Sequence, residues 1–176
     1  MSYLSFFKPI TMKIFESFTP SSRIWVYQSN RPFTLEEEKQ LSIQVKQFTS
    51  NWTAHDDRLK ADAEVLYHRF IVFAVDENVT LVSGCSIDKS LHFIKQAEKE
   101  FNIFLLNRQL IAYKEGDKIT SSPLNSFINL YKEGKVTDET NIFNNTVDTL
   151  VSFQTSWEIP LKNSWIFQHL QTEKAF

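Results

Sequence analysis

Cys85 is the residue of this sequence best suited to chemistry. It is the chain's single cysteine and lies in the run Ser83-Gly84-Cys85-Ser86-Ile87-Asp88, just ahead of an apolar periodicity that reads as a helix. A thiol at a helix N-terminus meets unpaired backbone N–H groups and the positive end of the helix dipole, which lower its pKa and make it a nucleophile. Gly84 beside it would let a ligand approach the backbone closely. His55, in a polar stretch with Asp56 and Asp57, is the candidate base, and Asp88 the candidate carboxylate of a Cys-His-Asp set. Such a set is sufficient in type for acyl or thiol transfer. The same residues also support a reading without catalysis. A lone cysteine packs as a small hydrophobe, and Ser86 or Asp88 caps the following helix.

The turn also suits an anion, because a helix start presents backbone donors. Arg23 and Arg69, both on expected strands, could bring guanidinium groups to it, or could make ordinary ion pairs. Trp25, Tyr27, Trp52, Trp157 and Trp165 could line a groove or an oligomer interface, or fill a core with their polar tips satisfied. Two functions from different classes follow. One is a non-catalytic domain that binds a small anionic ligand or a protein, with its site at Gly84, Ser86 and the rest of the 83–88 turn, together with Trp25, Tyr27, Trp52 and the two arginines. The other is a small enzyme using Cys85 and His55.

Other classes are excluded or left without support. The four histidines show no paired spacing and one cysteine makes no Cys-x-x-Cys, so neither a metal nor a cofactor is expected. Net charge is −2 with lysines and arginines scattered among the acids, which disfavours nucleic acid. The longest apolar run, Phe70-Ile71-Val72-Phe73-Ala74-Val75, is far short of the ~20 residues that a spanning helix needs. A lone thiol suits a reducing compartment, and the first residues lack a basic region and cleavage site, so a cytoplasmic protein is expected.

The elements that must position these residues read as follows. Residues 1–21 form a lead-in, 22–170 a single domain and 171–176 a tail. Its 176 residues, 14% of them aromatic, are enough to bury a core without staples. A strand covers Arg23 to Gln28. Thr34 and Glu37 make a capping box for a helix over 35–49. A long strand over 66–75, solidly apolar at its centre, should be buried on both faces. The helix after the cysteine turn shows Leu91, Ile94, Ala97 and Phe101 on one face. A hairpin surrounds Glu115-Gly116-Asp117. Ser122-Pro123 starts a helix that Gly134 stops. A short strand at 140–143, a helix at 146–156 and a last helical turn at 164–170 complete the order. The result is an α+β domain, with a mixed or antiparallel sheet of four or five strands and about four helices.

Arg23-x-Trp25-x-Tyr27-Gln28, Trp52-Thr53-Ala54-His55, Arg69-Phe70-Ile71-Val72, Val75-Asp76-Glu77 and the 83–88 run together resemble a family of small uncharacterised bacterial proteins often labelled "ABC transporter ATPase". The resemblance covers about Phe15 to Trp165 and implies no established activity. The label itself fails a physical test. Such an ATPase cradles phosphates in G-x-x-x-x-G-K-[ST], and Gly84, Gly116 and Gly134 are too far apart for that loop. Only the apolar strand ending in Asp76-Glu77 imitates an ATPase feature. This chain is not an autonomous ATPase.

Overall fold

The computed structural model describes residues 14–173, so the first thirteen residues of the expected lead-in and the last three of the tail lie outside the described residues. Among those residues nine strands form three antiparallel sheets, and five α-helices accompany them. The class is α+β, as expected, with the strands split into sheets of three, two and four rather than gathered in one.

The first sheet has the order β1 (Arg23–Gln28), β5 (Phe70–Val75), β4 (Ala61–Leu66), and all its neighbours are antiparallel. β5 lies in the centre with every residue buried, as its unbroken apolar run requires. Its two faces alternate with period two. Ile71, Phe73 and Val75 enter a core with α1 (Leu35–Ser50) and α2 (Gly84–Phe101). Phe70, Val72 and Ala74 enter a second core with Phe143, Trp157 and α4 (Leu150–Ser156). Phe15 is buried in that second core, so the described part of the lead-in packs into the domain.

The expected strand over 66–75 is a hairpin. The chain reverses at Tyr67 and His68, both at positive φ (53° and 51°), and the Arg69 N–H closes the turn on the Leu66 carbonyl at 3.0 Å. Neither residue favours the left-handed region, which costs about 1–2 kcal/mol each for an L side chain. Tertiary contacts impose it. The Tyr67 ring packs on Phe143 and Trp157, and its hydroxyl donates to Glu158 at 3.1 Å. The His68 carbonyl accepts from Phe33 N–H at 2.6 Å.

Both halves of the α1 capping box form between Thr34 and Glu37. α2 starts earlier than expected. Ser83, not Ser86 or Asp88, is its N-cap, and Ser86 completes a reciprocal box from the third helical position. The polar stretch after α1 holds a two-strand ribbon, β2 (Thr53–Ala54) with β3 (Asp57–Arg58).

The third sheet runs β7 (Lys118–Pro123), β6 (Leu110–Glu115), β8 (Asn141–Phe143), β9 (Glu158–Pro160). Gly116 turns its hairpin at φ 60°. α3 (Leu124–Lys132) and α5 (Trp165–Glu173) cover it. The helix expected from 146 begins only at Leu150. Asn144 accepts from the Thr146 amide and hydroxyl, a side-chain turn that competes with helix. Thr149 then caps α4. The freed segment 144–149 lies beside β1, where Asp148 accepts from Ile24 N–H at 2.9 Å.

Candidate functional site

The residues singled out in the sequence separate into two concavities and a structural remainder. The first is an open groove of about 910 Å³ between α1 and α2, lined by Phe48, Trp52, Cys85, Asp88, His92 and Phe93 among others. Cys85 is an exposed free thiol in the first turn of α2. Asp88 lies one turn on, exposed, and does not cap the helix. Ser86 is fully buried by its capping role. Gly84 adopts ordinary helical backbone with open space where a side chain would stand, so the fold itself does not require glycine there. Trp52 is core: it is 1% exposed and its indole N–H donates to the Ser86 carbonyl at 2.8 Å.

The proposed base is not joined to this thiol. His55 sits exposed in the two-residue turn between β2 and β3, at φ 54°, and lines neither concavity. No hydrogen bond links it to Cys85 among the described residues.

Arg69 is 4% exposed and serves the seam between sheets. Its guanidinium donates to the Ser29 carbonyl at 3.3 Å, the Ser121 hydroxyl at 3.0 Å and the Ile119 carbonyl at 3.5 Å. Buried on these internal acceptors, Arg69 lines neither concavity, unlike the ligand-binding arginine expected there. Asp76, the end of the ATPase-like strand, is likewise consumed. It is 1% exposed and accepts from Lys60 at 2.9 Å, Thr19 at 3.1 Å and the Asn78 amide. The Lys60 ammonium, foremost, holds its carboxyl below the usual range.

The second concavity is a cleft of about 400 Å³ along the outer edge of β1, lined by Arg23, Trp25 and Tyr27. β1 is an edge strand because β5 pairs with it on one side only. Arg23, Trp25 and Tyr27 direct their backbone groups inward to β5, and Ile24, Val26 and Gln28 direct theirs outward. The outward parity shows in the Ile24 N–H, which bonds Asp148, and continues at Asn30, whose N–H bonds the Phe104 carbonyl at 3.1 Å. Between those two closures the Val26 N–H and carbonyl and the Gln28 N–H have no partner among the described residues. The walls come from the loop 105–108, the segment 145–148 and the start of α5.

Gln28 supplies the most informative polar group. It is 4% exposed, and its side-chain nitrogen is buried without a hydrogen-bond partner. Its orientation is determined by a relay. The Trp157 indole, which can only donate, bonds Asn145 Oδ1 at 3.0 Å, and Asn145 Nδ2 then donates to Gln28 Oε1 at 2.7 Å. The Gln28 NH₂ is left as the free donor. Leaving a buried donor unmet costs about 1–3 kcal/mol.

The cleft's charges are two guanidinium groups, Arg23 and Arg108, against one carboxylate, Asp148. Arg23 lies 4.9 Å from the Trp25 ring and makes a long 3.8 Å ion pair with Glu77. Arg108 is exposed and has no ion-pair partner among the described residues. It stands near Tyr27, whose hydroxyl is raised in pKa by burial, with the Ser90 hydroxyl and the Arg108 charge pulling the other way. Trp165, 45% exposed, and Leu106, 37% exposed, give the rim an apolar character.

Of the residues singled out in the sequence, Arg23, Trp25, Tyr27 and Trp165 line this cleft, and Gln28, Arg108 and Asn145 join them. Nothing in the local sequence of these last three distinguishes them: a long-range relay from Trp157 marks Gln28 and Asn145, and the fold alone brings Arg108 to the cleft. No group of three or more His, Cys, Asp or Glu could hold a metal ion among the described residues. No helix among them is long and apolar enough to cross a membrane. No protein-family model, curated protein or solved structure matches this chain.

Proposed function

We propose that this chain is a non-catalytic binding domain whose ligand, an anion with an apolar body, occupies the cleft at the edge of β1. The observation that carries this reading is the Gln28 NH₂, buried, aimed by the Asn145–Trp157 relay and without an acceptor. Clefts of 300–1,000 Å³ with mostly apolar walls and a few convergent polar groups are the usual form of a small-molecule site. Here the walls offer Trp25, Tyr27 and Trp165, and the polar groups are an amide donor and an unpaired arginine. The earlier expectation placed the centre at the 83–88 turn. The geometry favours the β1 edge, because Arg23 and Tyr27 line only the second cleft. The Cys85 enzyme reading has an accessible thiol in its favour but no joined base.

Calorimetric titration with benzoate tests the reading. Arg108→Ala and Gln28→Leu should each weaken benzoate by about tenfold, the worth of one charge-assisted hydrogen bond. Cys85→Ser should leave the affinity unchanged. Equal affinity in all four proteins, or amide shifts confined to the α1–α2 groove, would remove the cleft from consideration.

A further inference from the structure

Among the described residues, the same cleft is a stretch of unpaired sheet edge closed at both ends, and this narrows the ligand. At one end Ile24 N–H bonds the Asp148 carbonyl and Leu150 N–H bonds that of Ser22. At the other, Asn30 N–H bonds the Phe104 carbonyl while the Phe104 N–H bonds Asn30 Oδ1 at 2.8 Å. From Ile24 to Gln28 the open edge is four residue steps, or about 13 Å at the rise of a strand. The open Val26 N–H and carbonyl lie in its middle.

Resting on the binding reading above, we propose that the cleft takes the free C-terminus of a short peptide, three or four residues long, as an added strand beside β1. Main-chain pairing to an exposed edge and capture of a terminal carboxylate are both established modes of peptide recognition. The open edge supplies the first, and the exposed Arg108 guanidinium at its closed end supplies the second. A chain cannot run through the closed Asn30–Phe104 end, so the peptide must stop there. The donors at that end, the open Gln28 backbone N–H and the Arg108 guanidinium beside Tyr27, match a carboxylate. Asp148 lies at the opposite end, beside Ile24, and suits the peptide's amino terminus. The peptide therefore runs parallel to β1. Val26 N–H donates to one peptide carbonyl, and the Val26 carbonyl accepts from the amide two residues further on.

The experiment uses the full chain and three probes: the tripeptide Ala-Val-Ala with free termini, its C-terminal amide, and benzoate. Affinity is read by calorimetry and backbone pairing by hydrogen exchange at the Val26 amide. The expected result is that saturating tripeptide slows Val26 exchange at least tenfold. The C-terminal amide should bind at least tenfold more weakly, and Arg108→Ala should lose the same factor for the free acid. Benzoate should bind without slowing Val26. If benzoate binds through Gln28 and Arg108 while the tripeptide gains nothing and leaves Val26 unprotected, strand addition is wrong and the anion site stands. If neither binds, both readings fail. Val26 protection that exists without peptide also overturns the proposal. Protection that grows with protein concentration would assign the edge to a second copy. Protection independent of concentration would assign it to another segment of the same chain.

Discussion

Asn145 and Gln28 are 117 residues apart and share one hydrogen bond, in which Asn145 Nδ2 donates to Gln28 Oε1 at 2.7 Å. That bond decides which end of the Gln28 amide is left without a partner. Asn145→Ala removes the partner of Gln28 and of the fully buried Trp157 indole together. Urea unfolding should show a loss of about 2–4 kcal/mol, one unmet buried group at each side. Benzoate binding should fall as well, because the Gln28 amide is then free to turn. A loss of less than about 0.5 kcal/mol, the size of an ordinary surface substitution, would show that the relay does not hold Gln28.

Glu37 sets a pH dependence. Arg31 grips it with two bonds of 2.8 Å, and the Thr34 amide adds a third. The Arg31 hydrogen bonds, then the Thr34 amide, lower its pKa from an ordinary 4.5 to about 2. A carboxylate depressed on folding stabilises fully above its unfolded pKa and loses that contribution as pH falls through its folded one. Stability should therefore decline between about pH 4.5 and pH 2. The Glu37→Gln chain should show a smaller decline across that window, starting from a stability lower by about 1–2 kcal/mol at pH 7, since the pair is only partly buried. Matching pH profiles for the two chains would rule out this assignment.

Asp76 is structural rather than a magnesium ligand. Asp76→Asn leaves Lys60 and the Thr19–Asn78 corner without their charged acceptor, and should destabilise by about 2–4 kcal/mol in chemical denaturation. Magnesium with ATP should leave the melting temperature of the native chain unchanged. A clear magnesium-dependent nucleotide shift would overturn the structural reading of Asp76.

The β4–β5 turn stores strain at two positions, and glycine should give a net gain at only one of them. His68, more than half exposed, has φ 51° and a hydrogen bond between its Nδ1 and Glu38 at 2.6 Å. His68→Gly should be neutral or stabilising by up to about 1 kcal/mol, because relief of the left-handed strain outweighs an exposed pair. Tyr67→Gly relieves the same strain but removes a ring packed on Phe70, Phe143 and Trp157, and should cost about 2–4 kcal/mol. Similar losses at both positions would mean that the His68 side chain also secures the turn.

Local physics made much of the fold readable. The capping box at Thr34 and Glu37, the apolar run of β5, the glycine turn at Gly116 and the stop at Gly134 all follow from neighbours within a few residues. The β4–β5 reversal was not readable, because Tyr67 and His68 oppose the turn they make, and distant partners impose it. The late start of α4 was similarly hidden by an Asn144 side-chain turn within an otherwise helical pattern.

The candidate site divides along the same line. By itself the sequence determined that no phosphate loop exists, that one thiol stands at a helix start, and that Arg23, Trp25 and Tyr27 share a strand. Strand alternation and glycine spacing are properties of short segments, so tertiary structure was not needed for them. Only the tertiary structure decided that Arg69 faces inward, that Trp52 is core, and that Gln28 and Arg108 join Arg23 at an open edge. The burial and orientation of a polar side chain depend on partners far along the chain. For Gln28 those partners are Asn145 and Trp157.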